Sequence, residues 1–317
     1  MEQKATSLLD PATGRVAQHL VQTVACPLCG SSSFDARAIK QGFTYVTCKD
    51  CSFVYVNPQL TQEAIRTVYN DEDLREFFFR DLLLPHVERD QRPEFETRLD
   101  KLRKLVQKPN PRLLDIGCAA GLFLSLAGQH GFNAEGLELN EHYVNYIRTH
   151  RSIKVHPKLL EEMQYPAGSF DVVTLWDVME HLPKPADTLT ETARVLRQDG
   201  ILALTTINHD CINEKILKDR WRYYMPPDHL CSFTPALLES LLRRCGFTIV
   251  RVEHQYMFEV LADHYFRFLT PSQSSGFGSA SLNKFKKLLN FALHISTQAV
   301  FRAFHSGDLL TVYARKP

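Results

Sequence analysis

Arg112-Leu113-Leu114-Asp115-Ile116-Gly117-Cys118-Ala119-Ala120-Gly121 is an apolar run closed by an acid and two glycines with three residues between them. It reads as a buried strand that gives way to a helix. The glycines let the backbone approach a ligand at the strand's C-terminal end, where open α/β sheets bind nucleotides. A dinucleotide loop would read G-x-G-x-x-G, and a phosphate loop would end in Lys-Ser/Thr. Neither pattern is present, so the loop points to a different nucleotide-like ligand.

Working outward from this loop, short apolar strands alternate with amphipathic helices. Strands are expected at 112–117, 133–138, 153–156, 171–176, 201–207, 247–253 and 309–315, with helices at 140–150, 185–197 and 235–245. Strand and helix in repeated alternation predict a doubly wound α/β sheet with right-handed crossovers. Two stretches, 208–233 and 255–306, break the rhythm and read as insertions built for substrate. Residues 271–281, Pro-Ser-Gln-Ser-Ser-Gly-Phe-Gly-Ser-Ala-Ser, read as a flexible loop.

On the N-terminal side, residues 1–20 are polar and read as a tail. Residues 21–58 carry Cys26-Pro27-Leu28-Cys29 and Cys48-Lys49-Asp50-Cys51, two C-x-x-C pairs separated by 18 residues. Each pair turns two thiolates toward one point, and two pairs complete a tetrahedral four-thiolate zinc site. A unit of about 35 residues buries too little apolar surface to fold alone, and bound zinc would supply the missing stability. A redox dithiol would call for one such pair at a strand–helix turn. Strands are expected at 43–47 and 53–56. Residues 59–109 are strongly charged with helical spacing, a connector or lid, and 110–317 form the main domain.

Seventeen residues beyond Gly121, the second strand ends in Gly136-Leu137-Glu138. A carboxylate there can accept both hydroxyls of a ribose. Further on stand Ser169-Phe170-Asp171-Val172-Val173, Trp176-Asp177-Val178-Met179-Glu180-His181-Leu182 and Leu196-Arg197-Gln198-Asp199-Gly200. Together with the acidic glycine loop these segments resemble the class I S-adenosylmethionine-dependent methyltransferases, over about residues 21–317. The resemblance implies a Rossmann-like seven-stranded methyltransferase sheet with helices on both faces, plus a small zinc ribbon. It implies that Asp115, Gly117, Cys118 and Gly121 hold the methionine moiety of the cofactor, with Trp176 beside it and Glu138 on the ribose. Members often carry an acid just after the third strand for the adenine amine. Here that stretch reads His156-Pro157-Lys158-Leu159-Leu160-Glu161, so the adenine contact is expected to be mostly backbone.

Asp177, Glu180 and His181 stand at i, i+3 and i+4, one face of a helical turn if one starts there. The pattern resembles the E-x-x-E-H of ubiquinone-pathway and small-RNA methyltransferases, in which such residues hold a divalent metal, and His229 could add a ligand. Three readings stay open: a second divalent metal, His181 as a metal-free base, and a structural histidine. Trp221, Tyr223 and Tyr224 suit a pocket that stacks a planar or sugar-like substrate, or else a core. In 282–304, Leu282, Phe285, Leu289, Ala292, Ile295 and Ala299 follow helical spacing beside Lys284, Lys286, Lys287 and Arg302. A lid, a homodimer face, a peripheral membrane helix and a helix packed on its own sheet all fit.

The expected function is methyl transfer to a small molecule, a sugar nucleotide or natural-product intermediate, by O-methylation before N- or C-methylation. An RNA methyltransferase and a non-catalytic cofactor-binding scaffold are the alternatives. A formal net charge of +1 counts against nucleic acid as partner. No apolar run approaches the roughly 18 residues of a membrane span. With no apolar leader at the N-terminus, the expected location is the cytoplasm. The cysteine spacing predicts about one zinc per chain in folded, reduced protein. Elemental analysis checks this, and zinc-free folded protein would refute it.

Overall fold

The first structured unit is a set of short antiparallel strands. The computed structural model describes residues 8–10, 12–61, 63–64, 85–255 and 307–317. Val21–Gln22 (β1) pairs with Gln59–Leu60 (β5). Between them Phe34–Lys40 (β2), Phe43–Cys48 (β3) and Val54–Val56 (β4) form a meander. The expected strands at 43–47 and 53–56 correspond to β3 and β4. β2 was not foreseen, because none of its residues is buried and its apolar alternation is broken.

Pro85–Val106 (α1) then leads into the central sheet through Arg112–Ile116 (β6). Leu122–Gln129 (α2), Asn133–Leu137 (β7), Glu141–Tyr146 (α3), Val155–His156 (β8) and Phe170–Trp176 (β9) follow. The second half comprises Pro185–Val195 (α4), Leu196–Ile207 (β10), Ile212–Leu217 (α5), Cys231–Ser232 (β11), Pro235–Arg244 (α6), Thr248–Gln255 (β12) and Leu309–Arg315 (β13). Seven strands lie in the order β12-β13-β10-β9-β6-β7-β8. β6 to β10 are parallel, and β13 runs antiparallel between β10 and β12. All seven expected strands are present.

Adjacent residues of each central strand feed opposite layers. Leu113, Val172, Ile201, Ala203 and Tyr313 pack with Leu99 and Leu102 of α1 and with Phe123, Leu126 and Ala127 of α2. Leu114, Val173, Leu202, Leu204 and Val312 pack with Leu189 of α4 and Leu238, Leu241 and Leu242 of α6. This period-two division is how a sheet covered on both faces uses a continuous apolar run. At the N-terminal end of β9, burial works against ionisation of Asp171. Lys108, the Arg112 backbone N–H and Arg197 outweigh it and hold the carboxyl below its usual range.

The 208–233 insertion departs from its sequence reading. Its strand β11 adds to the cysteine-bearing sheet, giving the order β11-β4-β3-β2. Trp221 and Tyr224 are buried in a core with Phe43, Tyr45, Val54, Val56 and Ile207. They therefore do not line an open substrate pocket. The aromatic richness serves to join two sheets, and only Tyr223 stays half-buried. The 255–306 insertion, including the expected loop 271–281 and helix 282–304, lies outside the described residues after Gln255, as do 65–84 of the connector. Among the described residues no helix is long and apolar enough to cross a membrane.

Candidate active site and cysteine centre

The loop after β6 is held open by its own backbone. Gly117 and Gly121 take φ values of 71° and 75°, and Ala119 a φ of 45°. The Gly117 and Cys118 N–H groups both donate to the Leu137 carbonyl, at 2.8 and 3.1 Å, which fixes the loop against β7. A Cβ on Gly117 would stand 2.6 Å from Val178 Cγ2, and one on Gly121 2.9 Å from Ile147 Cγ1. Both positions need glycine for φ and for space. Arg151 braces the loop from outside, its Nε donating to the Ala120 carbonyl at 2.7 Å.

Glu138 closes this arrangement. Its Oε2 accepts the Ala119 N–H at 2.9 Å and its Oε1 the Asn140 N–H at 2.8 Å. Each oxygen keeps a second acceptor direction. Burial raises its carboxyl above the usual range, against the pull of those N–H groups. Asp115 is buried and accepts the Thr174 hydroxyl at 2.6 Å. Burial, only partly offset by that bond, raises its carboxyl to about 7. Cys118 is buried beside them, and its side chain would collide with a Cβ on Gly136.

Trp176, the last residue of β9, sets its edge on Phe123 with centroids 5.4 Å apart and carries the Arg98 guanidinium 4.4 Å above its ring. Arg98, on α1, is 5% exposed and Trp176 8%. Arg98 bonds Glu94 at 2.6 Å, yet its Nε and the Trp176 Nε1 have no hydrogen-bond partner among the described residues. Two adjacent buried donors without acceptors are costly unless a ligand completes them. Sequence reasoning missed Arg98, since an arginine in a charged helix reads as surface. Its only sequence signal is its place beside Leu99 and Leu102 on the buried stripe.

Asp177 takes a φ of 55°, and the turn that follows is a tight one over Met179–His181. The i, i+3, i+4 face expected for Asp177, Glu180 and His181 therefore does not form. Asp177 is exposed and stands outside the group in which Glu180 and His181 meet His229. One ligand atom from each of Glu180, His181 and His229 lies within 4.8 Å of the other two. His181 Nδ1 bonds the Asp228 carbonyl at 3.0 Å, and His229 Nδ1 bonds the Tyr223 carbonyl at 2.9 Å. With Nδ1–H donating to a carbonyl in each ring, the neutral form of each presents its Nε2 lone pair, the arrangement second-sphere carbonyls give to metal-binding histidines. Glu180 Oε2 accepts the Thr206 hydroxyl at 2.9 Å. Burial raises its carboxyl to about 7 against the attraction of His181. Burial would lower the His181 imidazolium, but Asp228 and Glu180 outweigh it and raise it to about 9. Burial, with His181 alongside, lowers His229 to about 4.

The four cysteines converge separately. Cys26 and Cys51 place their sulfurs 3.5 Å apart, as do Cys29 and Cys48. All four fall within one 4.8 Å group. Sulfurs about 2.3 Å from a tetrahedral zinc stand about 3.8 Å from one another, so the set fits such an ion closely.

A methyltransferase domain family matches residues 87–252, the stretch that carries the glycine loop, Glu138 and β9. The chain belongs to the S-adenosylmethionine-dependent methyltransferases. It is 31% identical over 171 residues to a ubiquinone biosynthesis O-methyltransferase of Hahella chejuensis, covering 48% of this chain and 72% of that protein. It is 27% identical to the mitochondrial ubiquinone biosynthesis O-methyltransferase of Saccharomyces cerevisiae, over 43% of this chain and 44% of that one. The match to the Aromatoleum aromaticum protein of the same name, at 31% identity, likewise covers 51% of its length. Beyond the Hahella protein, then, the chain spans about half the length of these curated relatives. Among solved structures it resembles a SAM-dependent methyltransferase from Archaeoglobus fulgidus, with a TM-score of 0.50 at 20% identity over 71% of this chain and 94% of that one. It also resembles a chain of the Haloferax volcanii complex between the Trm112 methyltransferase activator and a methyltransferase, with a TM-score of 0.51 at 14% identity over 75% and 97%. These likenesses concern the fold.

For this methyltransferase, the raised Asp115 carboxyl sets a pH dependence. The folded protein retains a proton that the unfolded chain releases near pH 4. Stability of the cofactor-free protein therefore falls, on this account, as pH rises from about 4 to about 7. Asp115→Asn should flatten that slope in urea titrations across the window. An unaltered slope would refute the assignment.

Proposed function

We propose that this chain transfers a methyl group from S-adenosylmethionine to a hydroxyl of a small-molecule acceptor, over the C-terminal ends of β6 and β9. The relatives' name, ubiquinone biosynthesis O-methyltransferase, supports a hydroxyl acceptor. A sugar nucleotide or natural-product intermediate remains within the same class. Bound cofactor supplies an electrophilic methyl on a sulfonium sulfur. Gly117, Cys118 and Gly121 would let the backbone pass close to its methionine moiety, with Asp115 beneath. The free acceptor directions of Glu138 would take the ribose hydroxyls, and the unpartnered donors of Arg98 and Trp176 the methionine carboxylate. Glu138→Ala should weaken cofactor binding by about 2–3 kcal/mol, read by calorimetry. An unchanged dissociation constant would mean that the ribose is held elsewhere.

The observation that carries the chemical assignment is the convergence of Glu180, His181 and His229, with both Nδ1 atoms tied to backbone carbonyls. A histidine raised to about 9 keeps its proton at neutral pH, which counts against His181 as the general base. The same geometry favours a divalent cation, which would supply a Lewis acid that eases ionisation of the acceptor hydroxyl. Asp177, exposed at the mouth, would face the acceptor rather than the cation. Tyr223, stacked on His229 with centroids 6.4 Å apart, would form the wall beside it. Zinc in the Cys26, Cys29, Cys48 and Cys51 set would be structural, all four positions being filled by thiolates.

Release of S-adenosylhomocysteine with a panel of phenolic, sugar and amine acceptors tests the reaction. Turnover confined to amines would overturn the hydroxyl assignment. With an active acceptor, His181→Ala should cut turnover sharply by removing a cation ligand, while leaving cofactor affinity nearly intact. Chelation should abolish activity, with Mg²⁺ or Mn²⁺ restoring it. Full activity after exhaustive chelation would refute the cation.

A further inference from the structure

The residues that bracket His229 belong to the cysteine-bearing sheet. Tyr45, on β3 and 1% exposed, donates its hydroxyl to the His229 carbonyl at 2.8 Å. Val56, on β4, donates its N–H to the Leu230 carbonyl at 2.8 Å. Cys231 and Ser232 then pair with Tyr55 and Val54. Three consecutive steps of the chain, from His229 to Cys231, are thus fastened to β3 and β4. From the other side the Leu230 N–H donates to the Glu180 carbonyl at 2.7 Å, so the same segment is stapled to the turn that carries Glu180 and His181.

What fixes β3 and β4 is the cysteine centre. β3 ends in Cys48, whose N–H donates to the Phe53 carbonyl across the turn into β4, and Cys51 stands within that turn. The Tyr45 ring is further clamped by Tyr224, with centroids 4.5 Å apart, and Tyr224 is held by Arg37 of β2 at 2.9 Å and by Glu214 of α5 at 2.9 Å. A continuous set of buried contacts therefore runs from the thiolates through β3 to the backbone of His229.

We propose that the four-cysteine sheet serves the methyl-transfer site as its positioning frame, and that Tyr45 is the positioning residue that sets the height of His229 against Glu180 and His181. This rests on the reading of Glu180, His181 and His229 as a functional cluster. Without the Tyr45 bond the His229 carbonyl loses its buried donor. The backbone can then shift to find another, and the ring moves with it. A shift of about 1 Å is enough to spoil a site that needs three ligand atoms at one point. The hydroxyl of Tyr45 serves the cluster and not merely the core, because its acceptor is the carbonyl of a cluster residue.

The test uses the whole chain, loaded with zinc, and Mn²⁺ as the probe, which the thiolate set disfavours. Mn²⁺ affinity is measured by electron paramagnetic resonance in the parent, Tyr45→Phe, His229→Ala and the double variant. Tyr45→Phe should lose about 10-fold. In the His229→Ala background the same change should cost nothing further, because its effect passes through His229. Equal loss in both backgrounds, or no loss in either, would overturn the proposal. The imidazole ring signals of His229 in ¹⁵N-correlated spectra provide a readout independent of metal. They should shift in Tyr45→Phe while the melting temperature stays within a few degrees. If the parent binds no Mn²⁺, the cation reading of the cluster fails. The positioning proposal is then judged by the ring signals alone, and unmoved signals overturn it.

Discussion

A parallel sheet covered on both faces leaves polar chemistry nowhere to go except the strand ends. All seven residues of β9 are buried, and β10 is buried from Gly200 through Ile207. The two ends are treated differently. At the N-terminal end of β9, Asp171 is consumed by Lys108, Arg197 and a backbone N–H. At the C-terminal ends, groups remain with acceptor or donor capacity in hand: Glu138 with a free direction on each oxygen, Arg98 and Trp176 with donors to spare. That contrast between a satisfied edge and an unsatisfied one marks where ligand belongs.

The second organising contact is the addition of β11 to the cysteine sheet. Two residue pairs of strand are a weak unit alone, but Phe233, directly after β11, packs on Phe53 with centroids 5.2 Å apart, and both lie in the layer shared with β6, β9 and β10. Phe43, Tyr45, Val54 and Val56 take the opposite layer with Trp221 and Tyr224. The small sheet thus contributes one face to the main core and the other to the insertion. A unit too small to fold on its own is stabilised from both sides, and the insertion gains a rigid backing for His229.

The strands were legible because burial on two faces writes itself as apolar runs between glycines and acids, and the glycine loop with Glu138 was legible because both halves must be acidic or small at fixed distance. Local backbone geometry was not. The spacing of Asp177, Glu180 and His181 would put them on one helical face if a turn started there, but Asp177 takes a left-handed conformation and does not join the ligand atoms that Glu180 and His181 bring together with His229. Nothing in the identity of an aspartate announces that conformation, which it tolerates better than most residues. Trp221 and Tyr224 were ambiguous for a different reason: aromatic residues with polar tips serve pockets and buried joints alike, and only their tertiary neighbours decide. β2 and β11 escaped detection because an exposed edge strand and a two-residue strand carry almost no periodic signal.

The histidine pair shows how such a site can be assembled without instability. Rings 4.9 Å apart cannot both be cationic at little cost, and the structure separates them, one raised to about 9 and the other lowered to about 4. His181 keeps its proton because Asp228 and Glu180 stabilise the imidazolium, while buried His229 remains neutral. The cluster therefore keeps its positive charge on His181 at neutral pH. A dication at the same point would take over that role, with the proton on His181 Nε2 displaced and Glu180 ionised. Because the Nδ1 atoms are committed to the carbonyls of Asp228 and Tyr223, the exchange of proton for cation requires no rotation of either ring. The frame that makes this exchange possible is the backbone of 223–231, and half of that frame is held by the cysteine sheet.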